Sequence, residues 1–520
     1  MVRVRARLLP FAATTLAALA LPPALFAQAG EQVQFSPPSG TSTQRSGFAL
    51  SIDGDEMAIG GPYNDTTPSD SGSVWVWRFD ATLGEWQMEQ QLFASDAESG
   101  ARFGWSVAIQ GDLLVVGAPY KNTTLGSDAG QVYVFRYDTT NHVWNEEQKL
   151  VQSAGAATDN FGWSVGVAGD VLVSGTPNSD TTAGSNSGCA FVFRYQNATV
   201  KWLEETQLID PDGLANDNAG TCVAWDGTTA AVASPDALES TKSAAGSIGI
   251  WNVSGTTWTQ VQELTATTPQ TGGRFGLHVR LAGDRLGALA PDEDEGGGVT
   301  NSGAAYLFRL TSGSFALEQR LTEPVPATSV RFGSDIAMSD DLVVVGAMTD
   351  DVSGKVDCGA SHLYRPAKAG GAWVYDHQLC ASDRATSDRL GTQVALHDSL
   401  VLATADGKNT AAGTDFGSVY GYAPAEMTLT IDPETPAAGQ LITFSAFRGD
   451  PGALCMVTVE DVGGTPTFLP LLVIAFAADH TLTFTANAPN PLLGITLGLR
   501  AYKLSPRGGL ARSDQANVDV

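Results

Sequence analysis

Phe103-Gly104-Trp105-Ser106-Val107 leads through a tight turn into Leu114-Val115-Val116-Gly117-Ala118-Pro119. A polar loop follows, then Gly130-Gln131-Val132-Tyr133-Val134-Phe135, Trp144 and Gln148-Lys149-Leu150. The phrase restarts at Phe48, Phe103, Phe161, Ala219, Phe275, Phe332 and Leu390, in steps of 55, 58, 58, 56, 57 and 58 residues. A fixed period of this size marks an array of supersecondary units. The internal register is tighter still. An aromatic residue precedes a leucine by six positions in Trp86/Leu92, Trp144/Leu150, Trp202/Leu208, Trp258/Leu264, Phe315/Leu321 and Trp373/Leu379, and each leucine precedes the next restart by eleven. Constant spacing through variable sequence implies a constant geometric step.

Each unit breaks into four short β-type runs, in the second unit Trp105–Ile109, Leu113–Gly117, Gln131–Tyr137 and Trp144–Leu150. They are rich in Val, Ile and aromatics and bounded by turn residues. The first two runs join through Gln110-Gly111-Asp112 and its equivalents, such as Asp53-Gly54-Asp55 and Ala282-Gly283-Asp284. Gly and Asp tolerate the positive φ of such turns. Four-stranded antiparallel units repeated radially make a β-propeller, and ring closure removes exposed strand edges. A linear solenoid is the alternative. The seventh unit ends at its third strand, Gly417-Ser418-Val419-Tyr420-Gly421-Tyr422, with no aromatic-to-leucine run after it. Glu31-Gln32-Val33-Gln34-Phe35 resembles Glu89-Gln90-Gln91-Leu92-Phe93, so this N-terminal strand is expected to complete the last blade. Its spacing to Phe48 is two or three residues longer than elsewhere, which leaves the register open.

The expected organisation is all-β: a signal peptide over 1–29, a seven-bladed β-propeller over 30–424, and a small immunoglobulin-like β-sandwich over 425–520. The last expectation rests on about six short strand-like runs after the linker Ala423-Pro424-Ala425. Arg3, Arg5 and Arg7 precede the largely apolar Leu8–Leu21, and Ala27-Gln28-Ala29 places small residues for cleavage before Gly30. An N-terminal membrane anchor is the alternative, but the apolar run is short for a span. The mature chain is expected to be without a membrane span, monomeric, and secreted, periplasmic or at the cell surface. A composition 43% hydrophobic and 16% charged, with 57 Gly and 25 Pro, suits a turn-rich globular protein. A net charge of −27 with scattered basic residues argues against nucleic acid as a partner.

The units resemble FG-GAP repeats, the blades of integrin α-chain propellers and of many bacterial exported proteins. Phe103-Gly104, Phe161-Gly162, Phe275-Gly276 and Phe332-Gly333 carry the first half of that signature. Gly117-Ala118-Pro119, Gly60-Gly61-Pro62, Gly175-Thr176-Pro177 and Gly346-Ala347-Met348 carry the second. The fourth and seventh units lack the Phe, and the seventh lacks the second half. Calcium-binding relatives carry an acidic Asp-x-Asp-x-Asp-Gly-type loop between strands one and two. Here that connection is a few residues long and cannot offer six to eight oxygen ligands, so no calcium site is carried over. This places the sequence with a short-hairpin bacterial subgroup.

The resemblance points to the face bearing the loops between strands two and three as the ligand face. Candidate ligand residues there are Asn64, Asp65, Asp70, Asn122, Asp128, Asp180, Asp292, Asp294, Asp350 and Asp351, with turn formation as the alternative role. Asp292–Glu295 is the densest acidic run, though sequential acids splay apart. The six histidines make no metal-ligand spacing, and no nucleophile elbow is present, so neither metal, cofactor nor catalytic residue is expected. His278 falls at the position held by Ser106 and Ser164, near the ring centre, and reads as a core histidine. The repeated outer-strand tryptophans read as packing between blades rather than as a sugar platform. Cys358 and Cys380 flank the third and fourth strands of the sixth unit and are expected to form a disulfide; Cys189 and Cys222 have a weaker case. The functional expectation is a surface or exported binding module for a protein, glycan or envelope partner. The alternative is a propeller hydrolase or lyase acting on extracellular polysaccharide. A blade carrying polar residues that its siblings lack at the channel mouth would favour the enzyme; His278, Arg280 and Arg285 of the fifth come nearest.

Overall fold

The computed structural model describes residues 30–37, 43–65, 68–80, 83, 85–366, 371–397, 400–410 and 413–423, and beyond these the backbone of strands between 428 and 519. Seven four-stranded antiparallel sheets follow one another as the blades of a propeller. Blade 2 is typical: Ser106–Gln110, Leu113–Ala118, Gln131–Asp138 and Val143–Leu150, paired in that order. The first strand lies innermost and the fourth outermost. Second and third strands are buried on both faces, which is why Leu113–Ala118 reads as an unbroken apolar run. The outer strand alternates instead, because only one of its faces meets the next blade. The first-to-second connections are tight turns around Gly54, Gly111, Gly169 and Gly283, with φ between 53° and 62°.

The core is a chain of inter-blade interfaces. Trp144 and Trp202 are buried between outer strands, as expected of the repeated tryptophans. A glutamine of the preceding blade clasps the backbone of each. Gln90 accepts from Trp144 N–H at 2.8 Å and donates to its carbonyl at 3.1 Å. Gln148 with Trp202, Gln262 with Phe315 and Gln319 with Trp373 repeat the clasp. At these four junctions sheet-to-sheet packing is thus supplemented by two directional bonds, which fix the outer rim in register.

Gly30–Phe35 pairs antiparallel with Ser418–Ala423 and is the outer strand of blade 7. Phe35 sits opposite Val419, as Leu92 sits opposite Val74 and Leu150 opposite Val132. The first blade opens at Ser46 rather than Phe48. Ser46 N–H donates to Phe416 O at 3.0 Å, as Phe103 N–H does to Ser71 O, and Gly47 takes φ +93° where Gly104 takes +90°. Phe35 to Ser46 is then the same eleven-residue step as Leu92 to Phe103, and the apparent extra spacing vanishes. Phe48 misled because it is aromatic; its structural equivalent is Trp105.

The expected Cys358–Cys380 disulfide is absent, and both residues are free thiols, as are Cys189 and Cys222. Ser361 pairs with Leu379, which sets Cys380 level with residue 360, not 358. By Gly359 the chain has already left this pair to bridge Leu390 of the next blade. Cys358 Sγ instead points at the carbonyls of Asp350 (3.7 Å) and Val352 (3.8 Å).

After the propeller, Thr428–Asp432, Leu441–Phe447 and Thr481–Asn487 form a three-stranded sheet. Leu454–Val462, Thr465–Ala475, Thr496–Leu504, Leu510–Arg512 and Ala516–Asp519 form another. The immunoglobulin-like packing expected of this region lies outside the described residues.

Removing residues 30–35 should open the ring by unpairing Ser418–Ala423 and uncovering Trp77 and Trp86, which pack on Phe35. The truncated chain is expected to melt well below the intact one in differential scanning calorimetry. Coincident melting curves would show that this strand does not close the ring.

Candidate functional site

Most of the loop residues expected to bind a ligand turn out to hold their own loops. Asp65 Oδ1 accepts Asp70 N–H, Asn122 accepts Asp128 N–H, Asp180 accepts Asn186 N–H, Asp294 accepts Asn301 N–H and Asp351 accepts Asp357 N–H, all at 2.7–2.9 Å. The same position repeats this side-chain-to-backbone closure in these five blades. Asp70 and Asp128 are the left-handed residues at the far end, with φ of 50° and 51°. Asn64 is fully buried against Gln44. Asp292 pairs with Arg331 at 2.8 Å. The acidic run does splay: Glu293 is buried on Tyr306 and Arg320, and Glu295 also meets Arg320. Burial pushes the Glu293 carboxyl up, against the pull of Arg320. Asp350 belongs to a buried cluster considered below.

Nearer the channel, seven structurally equivalent residues precede the opening phrase of each blade: Arg45, Arg102, Asn160, Asn218, Arg274, Arg331 and Arg389. All have φ between 51° and 62°. The left-handed backbone turns each side chain along the ring toward the neighbouring blade. Four of the arginines meet carboxylates: Arg45 and Arg389 share Asp406, Arg274 holds Asp236, and Arg331 holds Asp292. Asn160 and Asn218 donate to the carbonyls of Pro119 and Pro177.

Arg102 differs. Among the described residues it makes no salt bridge; its guanidinium lies 4.8 Å from the Tyr63 ring centre, 4.4 Å from Tyr120 and 5.6 Å from Trp105. Around it three consecutive blades place aromatics at the start of the inner strand, Phe48, Trp105 and Trp163. Phe48 and Trp105 are 4.6 Å apart by ring centres, Trp105 and Trp163 4.9 Å. Tyr63 and Tyr120, at the ends of second strands, flank them. All five rings are half-buried. Burial holds the Tyr120 hydroxyl above its ordinary range despite the Arg102 charge. The result is an aromatic crescent with a cation set into it, on the loop face at the channel mouth. Cation–π contacts of this kind are worth about 0.5–2 kcal/mol each and hold the rings in place.

The other half of the channel is polar. Arg280 reaches Asp335 at 3.3 Å and Gln393 at 3.2 Å, and Asp335 also accepts Val394 N–H. His278 is half-buried and lines this wall rather than sitting in the core. Burial lowers its pKa, so it is neutral. The crescent was visible in the sequence as a departure among siblings: the positions of Phe48, Trp105 and Trp163 hold Thr221, Leu277, Ser334 and Thr392 in the other blades.

A family model described as FG-GAP repeat matches residues 86–135, 144–193, 258–308 and 315–364. The chain thus carries FG-GAP repeats within a seven-bladed propeller. Each matched stretch begins on an outer strand and ends in the third strand of the next blade. Repeat and blade are therefore one strand out of phase, as closure by an N-terminal strand requires. No curated protein matches the chain. Similar solved structures include Sqt1 of Saccharomyces cerevisiae, at 12% identity and TM-score 0.42 over 88% of this chain and 99% of that one. The periplasmic gluconolactonase of Pseudomonas aeruginosa is similar at 14% and 0.44, over 65% and 86%. A fungal alcohol oxidase in complex with copper is similar at 11% and 0.45, over 95% and 100%. At these values the likenesses carry no argument about chemistry.

Of the 11 tryptophans, Trp105 and Trp163 are half-buried, Trp105 with Arg102 over its ring, while most of the others are buried. Iodide is therefore expected to quench a minority of the fluorescence, and caesium less, although the chain is strongly acidic. Trp105→Phe with Trp163→Phe should abolish most of the iodide-sensitive fraction. Equal quenching of the double variant would mean that the crescent is not open to solvent.

Proposed function

We propose that the protein is an exported binding module that takes a glycan at the propeller mouth. The observation that supports this reading is the crescent of Phe48, Trp105 and Trp163 with Tyr63 and Tyr120, half-exposed and interrupted by Arg102. Pyranose rings present flat C–H faces that stack on such rings, and their hydroxyls or a carboxylate accept hydrogen bonds from a guanidinium. Aromatic side chains supply large contact area and are already held by their neighbours, so little conformational freedom is lost on binding. The leader-like segment at residues 1–29 fits delivery to the compartment where such glycans occur. The enzyme reading draws on His278 and Arg280 in the same channel, but the Asp335 carboxylate nearest them is committed to Arg280 and to Val394 N–H. Binding is the function that this geometry favours.

Screening the chain from Gly30 against neutral and uronate-containing oligosaccharides should return a ligand. Calorimetry should show affinity falling about tenfold or more, roughly 1.4 kcal/mol, for Trp105→Ala and for Trp163→Ala, with unchanged melting. Arg102→Gln should weaken uronate ligands more than neutral ones. A protein that binds no glycan, or binds one equally well without Trp105, would contradict the proposal.

A further inference from the structure

Away from the crescent, blades 2, 5 and 7 each have a polar box where the second-to-third loop meets the third strand. In blade 2, Tyr133 donates to Asp96 at 2.8 Å, Lys121 pairs with Glu98 at 2.8 Å, and Lys149 pairs with Asp96 at 3.1 Å. In blade 5, Tyr306 donates to Glu293 and Arg320 pairs with Glu293, both at 2.8 Å. In blade 7, Tyr420 donates to Asp383 at 2.8 Å, and Lys408 pairs with Asp388 at 2.9 Å and Asp383 at 3.1 Å. All three boxes combine a third-strand tyrosine, carboxylates and a cationic side chain. The buried carboxylates, Glu293 and Asp388, each face a cationic side chain, while Asp96 and Asp383 are exposed.

Blade 6 departs from these three. The tyrosine position holds His362, 1% exposed, and the carboxylates are Asp350 and Glu323. Among the described residues no lysine or arginine pairs with either acid. His362 Nε2 lies 3.5 Å from Asp350 Oδ2 and 3.9 Å from Glu323 Oε1, and one ligand atom from each residue lies within 4.8 Å of the others. Neither ring nitrogen of His362 makes a hydrogen bond, and Glu323 Oε2 is buried without a partner. Gln378 Nε2 donates to Asp350 Oδ2 at 2.6 Å, orienting that carboxylate.

We infer that Glu323, Asp350 and His362 hold one divalent transition-metal cation of the zinc type. Ligand bonds of about 2.0–2.2 Å in tetrahedral array set donor atoms roughly 3.3–3.6 Å apart, so the 3.5 and 3.9 Å separations at His362 Nε2 need little adjustment. An imidazole with two carboxylates suits zinc or a neighbouring transition ion better than calcium, which takes six to eight oxygens. Glu323 lies on the loop arriving from blade 5, while Asp350 and His362 belong to blade 6. The ion would fasten that junction as Lys121 and Lys408 fasten theirs.

The test uses the chain from Gly30, stripped with chelator and titrated with zinc, then with cobalt as a spectroscopic probe. One equivalent should bind, melting should rise with zinc, and cobalt should give visible bands of a nitrogen and oxygen site without a thiolate charge-transfer band. His362→Tyr, which copies blades 2, 5 and 7, and Glu323→Gln should each abolish stoichiometric binding. If His362→Tyr fails to fold, Glu323→Gln alone decides. Absence of stoichiometric binding by the native chain, retention of binding in Glu323→Gln, or a thiolate band from Cys358 or Cys380 would overturn the assignment.

Discussion

Every blade is joined to the next at one backbone contact that leaves no room for a side chain. Gly72, Gly130, Gly188, Gly246, Gly303, Gly359 and Gly417 stand just before the third strands, with φ between 72° and 87°. A Cβ at any of them would fall 1.9–2.2 Å from the carbonyl oxygen of the next blade's opening residue, successively Phe103, Phe161, Ala219, Phe275, Phe332, Leu390 and Ser46. The seventh contact closes the circle. Only glycine satisfies both the conformation and the approach. The repeated phrase thus has a cause: strand pairing builds a blade, but this contact sets the distance and angle from one blade to the next.

Because that step is fixed by backbone, the opening side chain is free to vary. Ala219, Leu390 and Ser46 stand where four blades carry phenylalanine, without changing the ring. The same freedom makes specialisation possible. The seven blades share one strand order and one glycine contact, and chemistry enters where one or a few depart from the rest. Phe48, Trp105 and Trp163 do so on three adjacent blades and make a surface. Glu323, Asp350 and His362 do so at a single junction and leave a buried charge without its usual partner.

Spacing was the legible part of the sequence. The period, the eleven-residue step, the buried tryptophans and the N-terminal closing strand all follow from regularities that backbone geometry imposes. Phe48 carries the aromatic signal of an opening residue, but the glycine that follows Ser46 marks the true start of the first blade. Asp and Asn serve binding sites and side-chain-capped loops alike, and the register of Asp65 to Asp70 and its equivalents is what shows the capping role. The Cys358–Cys380 pair failed on a two-residue offset between strands, finer than run boundaries can be read. His362 could not be recognised, since its significance lies in what Tyr133, Tyr306 and Tyr420 do at the same position in three dimensions.

The central claim is that the glycine contact between blades, rather than the aromatic phrase beside it, fixes the ring. Gly130→Ala would force a Cβ to 2.1 Å from Phe161 O at φ +86°. Backbone strain alone is worth about 1–3 kcal/mol, before the collision is counted. Gly296→Ala has open space and no such φ, and serves as the control. Calorimetric melting of the two variants is the direct measurement. The account predicts that Gly130→Ala lowers the melting temperature by several degrees while Gly296→Ala leaves it within about a degree. Equal melting of the two variants would contradict it.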